Sequence, residues 1–231
     1  MKHIFYFAPH QDDELTNLGV DLCREVTNGN TVHVVLCTDG SASGVKRMLC
    51  RGDGCAWHEG PHVYTPDTAA FVAARDAEFI ESCLALGVKP ENILISPLRA
   101  PDSTLTADRA QEIMRLALTG YSPAEVELRT IAPMTETGQN PDHAAVGQAA
   151  LRLSAEYRVT LFYEFILLPP ESLRELPVQR PDAEERRRIQ KAAASYRCWA
   201  PAKGRYAVGY HSVFDEFNDF LRDPLAVIAK F

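Results

Sequence analysis

A chain of 231 residues, 46% apolar and 24% charged, is long and apolar enough to bury a core of its own. Its net charge of −7 gives no footing for nucleic-acid binding or a polybasic membrane contact. No apolar run approaches the ~20 residues that span a bilayer, and no signal-peptide pattern opens the chain, so the cytoplasm is the expected compartment.

The first apolar run, Ile4-Phe5-Tyr6-Phe7, reads as a buried strand. It leads into Ala8-Pro9-His10-Gln11-Asp12-Asp13-Glu14, and a helix follows from about Glu14 to Val26, stopping near Asn28-Gly29-Asn30. One imidazole and three carboxylates thus fall where a strand ends and a helix begins. In open parallel sheets that is where ligands bind. The residue types suit a divalent cation with a spare carboxylate for proton transfer; alone, they also fit a polar loop with an N-cap acid. Glu14 fits the first turn of the helix, where negative charge is favoured.

A second strand, Thr31 to Cys37, delivers Thr38-Asp39-Gly40 to the same edge. Ser41 to Pro66 is a long polar segment, which beside a metal would serve as a substrate lid. Of the six cysteines, Cys23, Cys37 and Cys83 sit in apolar patterns and read as core residues. Cys50 and Cys55, with His58 and His62 soon after, fit a second zinc site or a disulfide-closed loop. The spacing is not that of a standard finger and the compartment is reducing, so two unrelated loop thiols are the expectation.

Asp67 reads as an N-cap for a helix over Thr68 to Leu86, with Ala70, Ala73, Ala77, Ile80 and Leu84 toward the core. Arg75 and Glu78 lie three apart on that helix; a structural role is expected, with Arg75 also within reach of the site. Ile93-Leu94-Ile95 is a third strand, with Pro97 to Asp102 at its carboxyl end. A helix from Ala107 to Leu118 follows, capped by Asp102, Ser103 or Thr106. A fourth strand, Glu127 to Ala132, precedes Asn140-Pro141-Asp142-His143, which opens a helix to about Glu156. Val159 to Leu168 reads as one buried strand, unbroken except for Glu164. A proline-punctuated meander from Pro169 to Pro181 leads to the capping box Asp182-x-x-Glu185 and a helix to about Trp199. Arg186-Arg187-Arg188 reads as a solvated face, and the tail from Tyr206 to Phe231 is expected to pack on the domain. The alternation of strand and helix predicts an α/β, Rossmann-like single domain over 1–231, a mainly parallel sheet with helices on both faces.

The Pro-His-x-Asp-Asp-Glu loop after the first strand and the Pro-Asp-His at a later helix start together resemble the PIG-L/LmbE family of zinc-dependent de-N-acetylases. The likeness runs from the first strand to about Tyr196. It implies His10, Asp13 and His143 as ligands of one zinc ion (another divalent metal fits the same donors), and Asp12 as the general base that takes a proton from the attacking water. It implies that Asp102 binds a sugar hydroxyl, in a sequence Asp102-Ser103-Thr104-Leu105 similar to the family's. Asp142 is expected to orient a ligand imidazole. The substrate implied is a small N-acyl amino sugar or its conjugate, and relatives often form homo-oligomers.

The chain departs from that pattern at Asn140, where the family's usual form has a histidine thought to act on the substrate carbonyl. An amide can donate a hydrogen bond to an oxyanion but cannot carry charge; Asn140 with Pro141 after it also suits a helix cap. A non-catalytic or altered-substrate relative that keeps the fold and metal is therefore the alternative. A nucleotide-binding module would need a Gly-rich loop where His10-Gln11-Asp12-Asp13 stands. A serine hydrolase would need a nucleophile where Gly40-Ser41-Ala42-Ser43-Gly44 has Ala42.

Overall fold

The run that opens the chain becomes β1 (His3–Ala8), buried on both faces at the middle of a sheet. The computed structural model describes residues 2–52, 54–55, 57–58, 60–134 and 137–229. The chain leaves β1 through a short α1 (Asp13–Thr16) and α2 (Gly19–Thr27), then forms β2 (Thr31–Thr38). Next come α3 (Val45–Cys50), α4 (Thr68–Leu86), β3 (Ile93–Ala100), α5 (Ala107–Ala117) and β4 (Val126–Ile131). Then come α6 (Pro141–Arg152), β5 (Arg158–Tyr163), β6 (Val178–Gln179) and α7 (Ala183–Tyr196). A small hairpin of β7 (Trp199–Ala200) and β8 (Arg205–Tyr206) precedes α8 (Val208–Ser212), α9 (Phe214–Arg222) and β9 (Ala226–Ala229).

Among the described residues the main sheet has the order β3-β2-β1-β4-β5-β9-β6. β1 to β5 are parallel, and β9 runs antiparallel to both β5 and β6. This is the mainly parallel α/β fold that the sequence predicts. The chain winds outward from β1 to β3, then returns to β4 on the other side of β1. The carboxyl ends of β1 and β4 therefore flank the point where strand order reverses, and a crevice opens there. Alternate residues of β1 serve the two cores. Ile4, Tyr6 and Ala8 pack against α2, α4, α7 and α9, whereas Phe5 and Phe7 pack against α5 and α6.

α6 lies so close to the end of β4 that a Cβ on Gly147 would meet the Ile131 carbonyl oxygen at 2.6 Å. At one edge of the sheet, β3 runs on to Ala100, past the strand the sequence predicts. It carries an exposed Pro97, which an edge tolerates, and a register shift against β2 between Leu36 and Thr38. β6, at the other edge, is two residues long.

Several elements differ from the sequence reading. The helix after the first motif is broken: the Leu18 amide bonds the Asp13 carbonyl at 3.1 Å, and the Asn17 side chain bonds the Asp13 carboxylate at 2.8 Å, so α2 starts afresh at Gly19. α4 has the predicted bounds and its Asp67 cap, which accepts from the Ala70 amide at 2.7 Å. Its buried face, however, is not the one that the sequence predicts. Phe71, Ala74, Phe79, Cys83 and Leu86 are buried, while Ala70, Ala73, Ile80 and Leu84 are exposed. Arg75 and Glu78 are both buried, and neither pairs with the other: Glu78 accepts from the Val208 and Gly209 amides at 2.7 and 2.9 Å and so anchors α8. β5 stops at Tyr163, and Phe165–Leu167 is a 3₁₀ turn, because Glu164 turns into the crevice. The capping box holds, with Asp182 and Glu185 bonding each other's amides at 2.8 and 2.9 Å. The tail packs through α8, α9 and β9; Lys230 and Phe231 lie outside the described residues.

Candidate active site

Pro9 to Asp12 turn the chain sharply from β1 into α1. Two bonds from Thr38, its amide at 3.1 Å and its hydroxyl at 2.8 Å, hold the Pro9 carbonyl. Arg75, buried under the loop, donates to the Gln11 carbonyl at 3.1 Å and to the Gly40 carbonyl at 3.0 Å. Asp12 takes a φ of 145°, a left-handed conformation that costs a non-glycine residue about 1–3 kcal/mol. Its carbonyl accepts from the Leu15 and Thr16 amides and starts α1. Its side chain is left facing the crevice, with Oδ2 3.5 Å from an Arg75 guanidinium nitrogen.

Three donor atoms converge there. His10 Nδ1 is 3.0 Å from His143 Nε2 and 3.4 Å from Asp13 Oδ2, and the last two are 3.3 Å apart. A tetrahedral ion about 2.1 Å from each donor sets donor–donor separations of roughly 3.4 Å, so this buried triangle fits a zinc-sized cation.

Each imidazole is held from its other nitrogen. His10 Nε2 lies 3.1 Å from Asp142 Oδ2 and 3.3 Å from Asp102 Oδ1. Asp142 is itself fixed by the Ser103 and Leu105 amides at 2.7 and 3.0 Å. His143 Nδ1 lies 2.8 Å from Glu164 Oε1. Such contacts choose the tautomer and turn the remaining lone pair toward the triangle.

The electrostatics match a site for positive charge. Burial alone would raise the Asp13 carboxyl, but the His143 and His10 imidazoles outweigh it and hold Asp13 well below the usual carboxylate range. Burial opposes charging of His143, yet Asp13 and Glu164 push it up to about 10. Asp12, by contrast, is raised to about 7, by burial first and by the neighbouring Asp13 second. Two adjacent carboxylates thus differ in proton affinity: one suited to a cation and one to proton transfer near neutral pH.

These groups line a cavity of about 360 Å³, a size usual for small-molecule sites. The structure brings every site residue singled out in the sequence, His10, Asp12, Asp13, Arg75, Asp102, Asn140, Asp142 and His143, to this one place. Thr106, not Asp102, caps α5, accepting from the Arg109 amide at 3.2 Å. Asn140 caps α6, its side-chain oxygen accepting from the Asp142 amide at 2.9 Å, and it also borders the cavity.

Glu164 was not foreseen; a lone carboxylate inside an apolar run was its one signal. Glu216 on α9 also lines the cavity and is raised to about 7, mainly by burial; nothing in the tail's pattern marks it. Of the segment expected to form a lid, Ala42 and Ser43 reach the cavity, while the part from Arg51 onward includes a cysteine–histidine cluster that runs toward α8. All six cysteines are free, so the disulfide alternative for Cys50 and Cys55 is wrong.

The fold is shared with several solved enzymes. N,N′-diacetylchitobiose deacetylase from Pyrococcus horikoshii, in complex with its inhibitor MPG, matches with a TM-score of 0.62 at 15% identity, over 96% of this chain and 76% of its own. The zinc-inhibited form of teicoplanin deacetylase Orf2 matches with a TM-score of 0.62 at 17% identity, over 99% and 98%. GalB, the 4-carboxy-2-hydroxymuconate hydratase from Pseudomonas putida, matches with a TM-score of 0.53 at 16% identity, over 95% and 84%. No curated protein sequence matches the chain significantly. The sequence model of the family described as PIG-L, GlcNAc-PI de-N-acetylase, matches residues 5–154. That stretch carries both motifs and both histidines of the triangle, and the chain belongs to the PIG-L family.

Proposed function

We propose that this protein is a zinc-dependent hydrolase that removes an acetyl group from the amide nitrogen of an amino sugar or amino-sugar conjugate. The observation that carries the reading is the buried triangle of His10, Asp13 and His143 with the Asp12 carboxylate facing the same cavity. Membership of a de-N-acetylase family and the two deacetylases of like fold support it. When bound, zinc supplies polarisation of an amide carbonyl and acidification of water. The remaining work falls to the chain. Asp12 takes the proton of the attacking water and returns it to the leaving amine, which its raised pKa suits. Arg75 steadies the Asp12 carboxylate and the loop beneath it. Asp142 and Glu164 orient the two ligand imidazoles. Asn140 uses its oxygen on the helix cap and keeps its amide N–H for the developing oxyanion. Asp102 accepts a substrate hydroxyl.

The test is acetate release from a panel of N-acetylated amino sugars and conjugates by zinc-loaded protein. Release should be abolished by chelator. Asp12→Asn should keep the zinc held by His10, Asp13 and His143 and lose about 10²–10⁴ in turnover, and His10→Ala should lose that ion and turnover together. Zinc-loaded protein that releases no acetate from any member would refute the reading. That result would favour the second reading, an altered-substrate relative, which rests on Asn140 at the cavity rim.

A further inference from the structure

Away from the catalytic cavity, four side chains from two distant parts of the chain meet. Cys55 Sγ lies 3.2 Å from His58 Nδ1 and 3.3 Å from His211 Nε2, and with His62 all four donor atoms lie within 4.8 Å of one another. We propose that Cys55, His58, His62 and His211 bind a second zinc ion, a structural one that ties the segment after α3 to α8.

The orientation of the donors supports this. His211 Nδ1 faces the carbonyl oxygens of Tyr206 and Ala207 at 3.0 and 2.8 Å. That arrangement places its proton on Nδ1 and leaves the Nε2 lone pair toward the sulfur. His62 is fully buried, and among the described residues neither of its ring nitrogens has a hydrogen-bond partner. A buried imidazole with no partner is costly. Hydrogen bonds within the cluster account for Cys55, His58 and His211 but not for His62; a fourth ligand position does. Trp199 stacks on His58 at 4.2 Å and lies 4.5 Å from His62, which gives the cluster an apolar wall.

The donor set narrows the ion to a late transition metal, of which zinc favours a closed tetrahedral shell. One thiolate and three imidazoles match zinc and not the oxygen-seeking magnesium or calcium. Four protein ligands close the coordination shell, which is the mark of a structural site. The segment also needs such a tie. Of its own apolar groups, Val63 is exposed, Tyr64 packs on the small cluster of Val45, Leu49, Phe71 and Val208, and Trp57 stacks on Phe214 at 4.1 Å; that is little burial to set against the ordering entropy of so polar a stretch, and a bound ion adds to it. Ser212 and Val213, directly after His211, line the catalytic cavity. The second ion therefore also sets the rim of that cavity.

The experiment is metal content of the full chain loaded with zinc and freed of excess, with cobalt substitution as an independent readout. Two zinc ions per chain are expected in the wild type, one in Cys55→Ser and one in His10→Ala. Cobalt protein should show a thiolate-to-metal charge-transfer band, kept in His10→Ala and in Cys50→Ser but lost in Cys55→Ser. His10→Ala isolates the second site, so its result stands whether or not the catalytic reading does. A wild type that holds one zinc and shows no thiolate band with excess cobalt would overturn the proposal. Two zinc ions retained in Cys55→Ser would do the same. Should Cys55→Ser fail to fold, the wild-type stoichiometry and band decide.

Discussion

Gly147 offers a sharp test of how the catalytic histidine is placed. It sits in α6, four residues after His143 and so on the same helical face. On propensity alone, Gly147→Ala should stabilise the helix by about 1 kcal/mol. The new Cβ would fall 2.6 Å from the Ile131 carbonyl oxygen and 2.7 and 2.8 Å from Cδ and N of Pro133. All three belong to backbone or to a rigid ring, so none can rotate away. Ordinary contact is about 3.5 Å, and α6 must therefore withdraw by roughly 0.7–0.9 Å. Overpacking of this kind costs about 1–3 kcal/mol. The net expectation is a loss of up to about 2 kcal/mol, which at this chain length lowers Tm by up to about 8 °C. His143 moves with the helix, opening the donor triangle, and a displacement approaching 1 Å costs about 10² in turnover. The assay is Tm, zinc content and kcat/KM side by side. Gly44→Ala is the control, since its Cβ would meet nothing within 4 Å. A Tm that rises in Gly147→Ala, with turnover intact, would refute the reasoning that contact with β4 fixes His143.

Glu164→Ala removes the acceptor from His143 Nδ1 and should weaken zinc affinity about 10–100-fold; an unchanged zinc Kd in a chelator competition would count against its orienting role. Asn140→Asp keeps the cap oxygen and removes the amide donor, so turnover should fall by about 10²–10³ with Tm preserved. Full turnover in that variant would show that Asn140 acts as a cap alone. His33 is held down to about 4, by burial first and by the facing His3 second. Its folded pKa lies below its unfolded one, so it contributes stability above about pH 6.5 that is lost as pH falls toward 4. His33→Gln should flatten the fall of Tm across that window, and an unchanged slope would remove His33 from the account.

The metal triangle was legible because its ligands stand in two short motifs, each at a junction of strand and helix, where a parallel sheet collects its functional groups. Glu164 was hidden because a single carboxylate in an apolar run looks the same whether it interrupts a strand or ends one. His211 was hidden for a different reason: its partner Cys55 lies 156 positions away, and no local spacing links them. The face of α4 was misjudged because small and apolar residues occur nearly all round that helix. Periodicity then cannot choose, and what decides is that Arg75 and Glu78 have backbone partners inside the fold. The apolar run Ile93-Leu94-Ile95 shows only the start of β3, which continues through Pro97 to Ala100 because an edge strand tolerates a proline.

The two ends of the sheet constrain how copies of this chain can associate. A free strand edge is a row of unsatisfied amides and carbonyls that a second chain can extend. Here one edge is interrupted by Pro97, which has no N–H to offer, and the other ends in a strand of two residues, Val178 and Gln179. Neither gives a continuous ladder for another β-strand. Among the described residues, both ends of the main sheet therefore disfavour edge-to-edge growth by another strand, and the surfaces left for association there are those of helices and loops.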